Sequence, residues 1–328
     1  MDVLGIRFLP LCAESLGVRS LAVKVETKKL HILLDAGVSL GSRFGIVPHP
    51  KEYVALKEAR KRIREEAKKC DLITISHYHF DHYTPTWREI DAKWTWSSYD
   101  EAKEVYEGKV VLAKDIRSRI NPSQRMRGYI FSKVAKEFVK ELSYVDGESM
   151  SFDDIRLRFS PPLPHGEDDT ALGYVLLITI QDGDEKFLYC PDVQGPVSST
   201  TLRYILELSP SVAIVGGPPL YLAGSKVKPE MLSKGLAHLE RIVSKVPLTI
   251  VDHHILRDEQ GLRELERLKK AAKEKGNEVR TFAEQLGLKN ELLEARRRDL
   301  YEESPPDREF QKWMKLPPSR QRQLLPPL

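Results

Sequence analysis

The sequence predicts a layered α/β (α+β) protein, on two observations. Short apolar runs rich in Val, Ile and Leu alternate with amphipathic stretches of helical spacing along most of the 328 residues. The histidines and acids that stand out chemically fall where the apolar runs end, the usual place for active groups in layered α/β proteins.

The elements follow in chain order. "SLAVKVE" (20–26) and "LHILLDAG" (30–37) are β-rich runs separated by "TKK", which reads as a hairpin. Residues 50–70 combine helical spacing with strong helix formers, and Pro50 marks the start. "DLITIS" (71–76) is a short buried strand. Thr84 then reads as an N-cap, with Pro85 at the first position of a helix through "TPTWREI". Residues 114–141 carry eight Lys/Arg against three Asp/Glu, a net of +5, and read as helix with some loop. Further strands are expected at 155–160, 171–180, 185–192, 211–217 and 247–254, and helices at 228–245, 261–276 and 282–301. One domain would then span 1–303. The Pro-rich remainder, 304–328, reads as a solvated or partner-bound tail.

Composition narrows the class. With 41% hydrophobic and 30% charged residues the chain reads as globular rather than disordered. The net charge of +4, from 52 bases and 48 acids, does not call for nucleic acid on its own. Abundant Lys, Arg and Glu with few Met and Cys suit a heat-adapted, thermophilic protein. No 18-residue apolar run exists, and the opening "MDVLGIRFLP", with Asp2, does not read as a signal peptide. A cytoplasmic location and no membrane partner are therefore expected. Cys12, Cys70 and Cys190 form no CxxC pair, which points to three reduced thiols.

The stretch "ISHYHFDHYTP" (75–85) holds three of the nine histidines. A strand puts alternate side chains on one face, so His77 and His79 can converge on one point. Asp81 and His82 follow where the chain turns away. Two ligand groups this close suit two metal ions about 3.5–4 Å apart that share a water and a carboxylate. Imidazole and carboxylate suit zinc, iron or manganese. Four residues cannot complete two shells, and candidates stand downstream. His165 lies in "PLPHGEDD", Asp192 ends the run "LYCPD", and His253 and His254 end "TIVDHH".

The pattern HxHxDH at 77–82, preceded by Asp35 in "LLDAG" and followed by His165, Asp192 and a late histidine, resembles the metallo-β-lactamase superfamily. The order of motifs is the superfamily's, and the likeness spans roughly residues 1–300. "DVQGP" (192–196) and "HHILRD" (253–258) further resemble an uncharacterised archaeal branch of it. The resemblance implies a four-layer αββα sandwich with metals at the strand ends. It implies that His77, His79 and His165 hold one ion, and that Asp81, His82 and one of His253 and His254 hold the other. His253 is favoured because it follows "TIVD". Asp192 would bridge the ions, and Asp35 would brace the ligand loop by hydrogen bonds.

The implied activity is that of a binuclear metal-dependent hydrolase, with zinc most expected and iron or manganese as alternatives. Two divalent ions against Asp81, Asp192 and a bridging hydroxide leave about +1. Such a site favours a small anionic ester, lactone or phosphoester. Asp81 and Asp192 are the catalytic candidates. An RNA-processing nuclease of the same superfamily is the alternative, drawing on Arg117, Arg119, Arg125, Arg127 and Tyr129. The 61 residues from Asp192 to His253 leave no room for the inserted domain of some of those nucleases. A di-iron redox enzyme and a non-catalytic metal-binding protein are further alternatives.

Overall fold

The computed structural model describes residues 5–43 and 45–328; the opening residues, Asp2 among them, lie outside the described residues. Two mixed sheets carry the fold. The first has six strands in chain order: Arg7–Ala13, Leu21–Glu26, His31–Leu34, Leu72–Ile75, Val110–Ala113 and Glu141–Tyr144. Its first three strands pair antiparallel and the rest add in parallel. The second has seven, ordered Glu278–Arg280, Leu248–Asp252, Val212–Gly216, Glu185–Cys190, Ile178–Asp182, Ile155–Phe159 and Ser149–Phe152. Its first four run parallel and the last three are antiparallel.

Strand alternation explains the layering. In His31–Leu34, Ile32 and Leu34 pack toward the second sheet while Leu33 packs toward helices. In Glu185–Cys190, Phe187 and Tyr189 face the first sheet, and Leu188 and Cys190 face the other helical layer. Strands apolar on both faces must be covered on both. Helices Pro50–Ala67, Tyr99–Tyr106 and Pro122–Ala135 cover one outer face, through Leu56, Ile63, Val105 and Phe131. Helices Ser199–Leu208, Pro229–Val243 and Gln260–Lys273 cover the other, through Ile205, Leu239 and Leu268. The result is the four-layer αββα sandwich of the metallo-β-lactamase type.

Several local expectations are corrected. Thr84 starts no helix. Its hydroxyl donates to Ala36 O at 2.6 Å and accepts from Arg60 at 2.7 Å, so it has no capping role, and 84–98 is irregular. Residues 171–180 are not one strand but Tyr174–Val175 and the start of Ile178–Asp182; between them Leu176 N turns to bond Ser76 O at 3.1 Å. The expected helix 282–301 is two, Phe282–Gln285 and Arg297–Glu303, because Gly287 takes a left-handed φ of 72°. Strand Val110–Ala113 and helix Ser199–Leu208 had not been expected. The Pro-rich segment is not a solvated tail either. It forms helices Arg308–Met314 and Pro318–Gln323, and Phe310 and Trp313 bury themselves edge-on against Tyr53, at ring distances of 5.8 and 5.4 Å.

Candidate metal centre

The site gathers at the strand ends of both sheets. Strand Leu72–Ile75 delivers the loop with His77, His79, Asp81 and His82. The short pair Leu163–Pro164 and Tyr174–Val175 delivers His165. Strand Glu185–Cys190 delivers Asp192, and Leu248–Asp252 delivers His253 and His254. Close backbone packing helps: a Cβ on Gly37 would lie 2.1 Å from Tyr83 N, so only glycine lets the "LLDAG" turn sit under the histidine loop. Asp35, Gln194 and His253 all have positive φ, of 52°, 57° and 69°, backbone strain of the kind that collects at functional sites.

Asp192 stands at the centre. Its Oδ2 lies 2.8 Å from His165 Nε2, 3.2 Å from His77 Nε2 and 3.3 Å from His79 Nδ1. Its Oδ1 lies 2.5 Å from His253 Nε2 and 3.3 Å from His82 Nε2. His82 and His253 approach each other at 3.4 Å, and His253 is 3.9 Å from Asp81 Oδ2. His254 Nε2 stands farther off, 3.9 Å from Asp192 Oδ1, with its ring stacked on His253. The structure thus brings together all eight residues singled out in the sequence. Asp35, the ninth, bonds His82 Nδ1 at 2.8 Å, Ser76 N at 2.8 Å and Tyr189 OH at 3.0 Å, and also pairs with the Ser76 hydroxyl.

The electrostatics are sharply divided. Burial, with neighbouring His82, drives the His77 imidazole well below its usual range, and burial also lowers His79 and His254. Burial would lower His82 too, but Asp192 and Asp35 outweigh it and raise that imidazole well above its usual range. Against the same burial, Glu14 and Asp192 push His253 up to about 9. Burial would raise Asp192 and Asp81; the imidazoles around Asp192, and His82 with Arg257 beside Asp81, hold both well below the usual carboxylate range.

These donors fit metal ions. His77, His79, His165 and Asp192 form one group whose ligand atoms lie within 4.8 Å of one another, and Asp81, His82 and His253 form another. Asp192 Oδ1 has imidazole nitrogens on two sides, His253 Nε2 at 2.5 Å and His82 Nε2 at 3.3 Å, whereas His254 Nδ1 is buried without a hydrogen-bond partner. Imidazoles crowded around one buried carboxylate are a donor set that divalent cations fill. The side chains of His77, His82 and His253 have no exposure at all, whereas His79 is 26% exposed. The approach is therefore from the His79 side. A cavity of about 460 Å³ lined by Phe80, Trp87, Ile90 and Trp94 adjoins the same loop.

Sequence reasoning missed Glu14, Arg257, Tyr189, Gln124 and Gln194. Glu14 Oε2 bonds His253 Nδ1 at 2.9 Å, and Arg257 spans Glu14 at 2.6 Å and Asp81 at 3.0 Å. Gln194 and Arg257 lay inside "DVQGP" and "HHILRD", which was a signal. Glu14, 239 positions before His253, carried none.

No protein-family model matches the chain. The UPF0282 protein of Pyrococcus horikoshii is 40% identical over 298 residues, covering 90% of this chain and 93% of that one. The chain belongs to the UPF0282 family. The UPF0282 protein of Methanocaldococcus jannaschii is 41% identical over 298 residues, 90% of this chain and 96% of that one. That of Korarchaeum cryptofilum is 38% identical over 310 residues, 94% and 99%. These UPF0282 relatives are archaeal, as the branch resemblance implied, and include thermophiles. Among solved structures, the diiron β-hydroxylase CmlA of Streptomyces venezuelae superposes with a TM-score of 0.50 at 14% identity, covering 84% of this chain and 52% of that one. That likeness is one of fold. The metallo-β-lactamase fold protein YhfI of Bacillus subtilis gives a TM-score of 0.48 at 13% identity, with 84% and 96% covered. No helix among the described residues is long and apolar enough to cross a membrane.

Proposed function

We propose that this UPF0282 chain is a two-metal hydrolase of a small anionic ester, lactone or phosphoester. The observation that carries it is the division of Asp192, whose Oδ2 faces His77, His79 and His165 while its Oδ1 faces His82 and His253. His77, His79 and His165 would hold one divalent ion, and Asp81, His82 and His253 a second, with Asp192 between them. Zinc is the expected metal, with iron or manganese as alternatives. Bound there, the pair would supply an activated water near neutral pH and Lewis-acid polarisation of the scissile group.

The chain's own groups do the rest. Asp35 and Glu14 fix the Nδ1 atoms of His82 and His253, so that each Nε2 points inward. The complete burial of His77, His82 and His253 confines substrate and water to the side of His79 and His254. His254, kept neutral chiefly by burial, keeps 10% of its side chain exposed and would offer a polar contact to the substrate. The aromatic cavity beside Phe80 would take the organic part of the substrate. The test loads the protein with zinc, manganese or iron and assays esters, lactones, phosphomonoesters and phosphodiesters. Turnover of one class, lost on removal of the metal, is expected; inertness toward all four classes with metal bound would sink the reading.

One observation favours a second reading, an RNA-processing nuclease. Helix Pro122–Ala135 reaches the site through Gln124, 3.4 Å from His79, and exposes Arg125, Met126 and Tyr129 beside it. RNA binding that weakens steeply with salt would support it, and no binding at low salt would remove it.

A further inference from the structure

The two histidine groups are backed by different chemistry. In the first, His77 Nδ1 meets the Ser76 hydroxyl at 3.0 Å, His79 Nε2 meets the Gln124 amide at 3.4 Å, and His165 Nδ1 meets the Gln194 amide at 3.4 Å. All three partners are neutral. In the second, His82 Nδ1 meets the Asp35 carboxylate at 2.8 Å and His253 Nδ1 meets the Glu14 carboxylate at 2.9 Å. That group also contains Asp81. Arg257 offsets one of these charges, since it is shared by Glu14 and Asp81. Asp192 is common to both, and Asp35 touches His82 directly but reaches His77 only through the Ser76 hydroxyl; the second group is thus backed by three carboxylates against one guanidinium, and the first has no carboxylate in direct contact besides Asp192. Both are buried, where charge differences are weakly screened.

We propose that the two metal positions are unequal and fill in order. The position of Asp81, His82 and His253 takes the first ion, and that of His77, His79 and His165 takes the second. Glu14 and Arg257 are positioning residues for the first-filled ion. Glu14 holds the His253 ring and makes its imidazole a stronger donor. Arg257 holds Glu14 and Asp81 at a fixed separation, and Tyr221 OH lies 3.4 Å from its other nitrogen. Without Arg257 the two carboxylates would stand uncompensated in a buried site, which is strongly unfavourable. The inference rests on the two-metal reading above but not on any substrate.

The experiment strips the protein with a chelator and titrates it with manganese(II), counting bound ions by native mass spectrometry and affinities by calorimetry. The unaltered chain should take up metal in two steps, the first at least about tenfold tighter. His79→Ala should keep the tight step and lose the weak one, and His253→Ala the reverse. Glu14→Gln should weaken the tight step by about 10–100-fold and leave the weak one alone, with Glu14→Asp restoring part of the loss. If Glu14→Gln does not fold by circular dichroism, the two histidine variants decide the order by themselves. Equal steps, or a tight step that survives in His253→Ala and disappears in His79→Ala, would overturn the order while leaving the two-metal reading intact. No uptake by the unaltered chain would overturn both.

Discussion

Arg19 and Glu294, 275 positions apart, meet in a two-pronged pair, with Nε and Nη2 of the arginine each 2.6 Å from a carboxylate oxygen. The pair pins the irregular segment 286–296 to the turn that follows the first strand, next to Glu14. Burial raises the Glu294 carboxyl, but Arg19 outweighs it and holds the group down at about 2. The folded value is below the ordinary 4.5, so the pair contributes stability above pH 4.5 and loses it as pH falls from 4.5 toward 2. The shift corresponds to about 3 kcal/mol. Glu294→Gln should be less stable by about that amount at pH 7, and its urea midpoint should fall less steeply than that of the unaltered protein between pH 5 and pH 3. Parallel pH profiles would show that the pair adds nothing.

Asp192 faces both histidine groups, so removing its charge should affect both positions together. Asp192→Asn should retain less than about one of two metal equivalents by plasma mass spectrometry, and any hydrolytic activity should fall by about 10³-fold or more. Two retained equivalents would mean that the carboxylate is not shared.

Gly37 allows the Asp35 turn to lie against the backbone of His82 and Tyr83, with 2.1 Å to Tyr83 N from where a Cβ would stand. Gly37→Ala should therefore push the histidine loop out of place. Metal affinity should drop about tenfold or more, with smaller loss of thermal stability, because the sheet beneath is untouched. Unchanged metal binding by calorimetry would contradict that coupling.

Arg60 is fully buried on the helix over the first sheet and donates to Thr95 O, Thr84 Oγ1 and Val38 O at 2.6, 2.7 and 2.9 Å. It ties the turn around Val38 to both ends of the irregular segment 84–98 at the base of the histidine loop. Arg60→Met keeps most of the volume but leaves three buried acceptors short of a donor. A loss of about 3 kcal/mol in chemical denaturation is expected; a loss under about 0.5 kcal/mol would mean that water replaces the guanidinium.

Phe310 and Trp313 bring the C-terminal segment into the core around Tyr53. Ending the chain after Glu303 should cost about 5 kcal/mol through the two aromatic side chains alone. It should also expose Tyr53 and lower the thermal midpoint. An unchanged midpoint in scanning calorimetry would make the segment an appendage after all.

What could be read from the chain was what lies close along it. The spacing of His77, His79, Asp81 and His82 is local, and a strand end must present such residues together. Apolar β-rich runs marked three of the six strands of the first sheet and most of the second, and His49 and Pro50 start a helix where one was expected, with a capping box to Glu52. Thr84 misled for the complementary reason. Its capping signal was local, but a buried arginine from another element claimed the hydroxyl. The Pro-rich segment misled because proline content describes how the chain leaves an element, not whether two aromatic residues beyond it find a groove.

By itself the sequence determined the layered fold class and the run of imidazoles and carboxylates able to meet two metal ions. Tertiary structure alone decided that Asp192 divides its two oxygens between the histidine groups. It also decided that Glu14 and Arg257 stand behind one group while only neutral partners stand behind the other. The physical reason is that a single acid far along the chain has no periodicity to betray it. Its role arises only when two sheets stack and bury it beside an imidazole, where leaving either group unpaired would be costly.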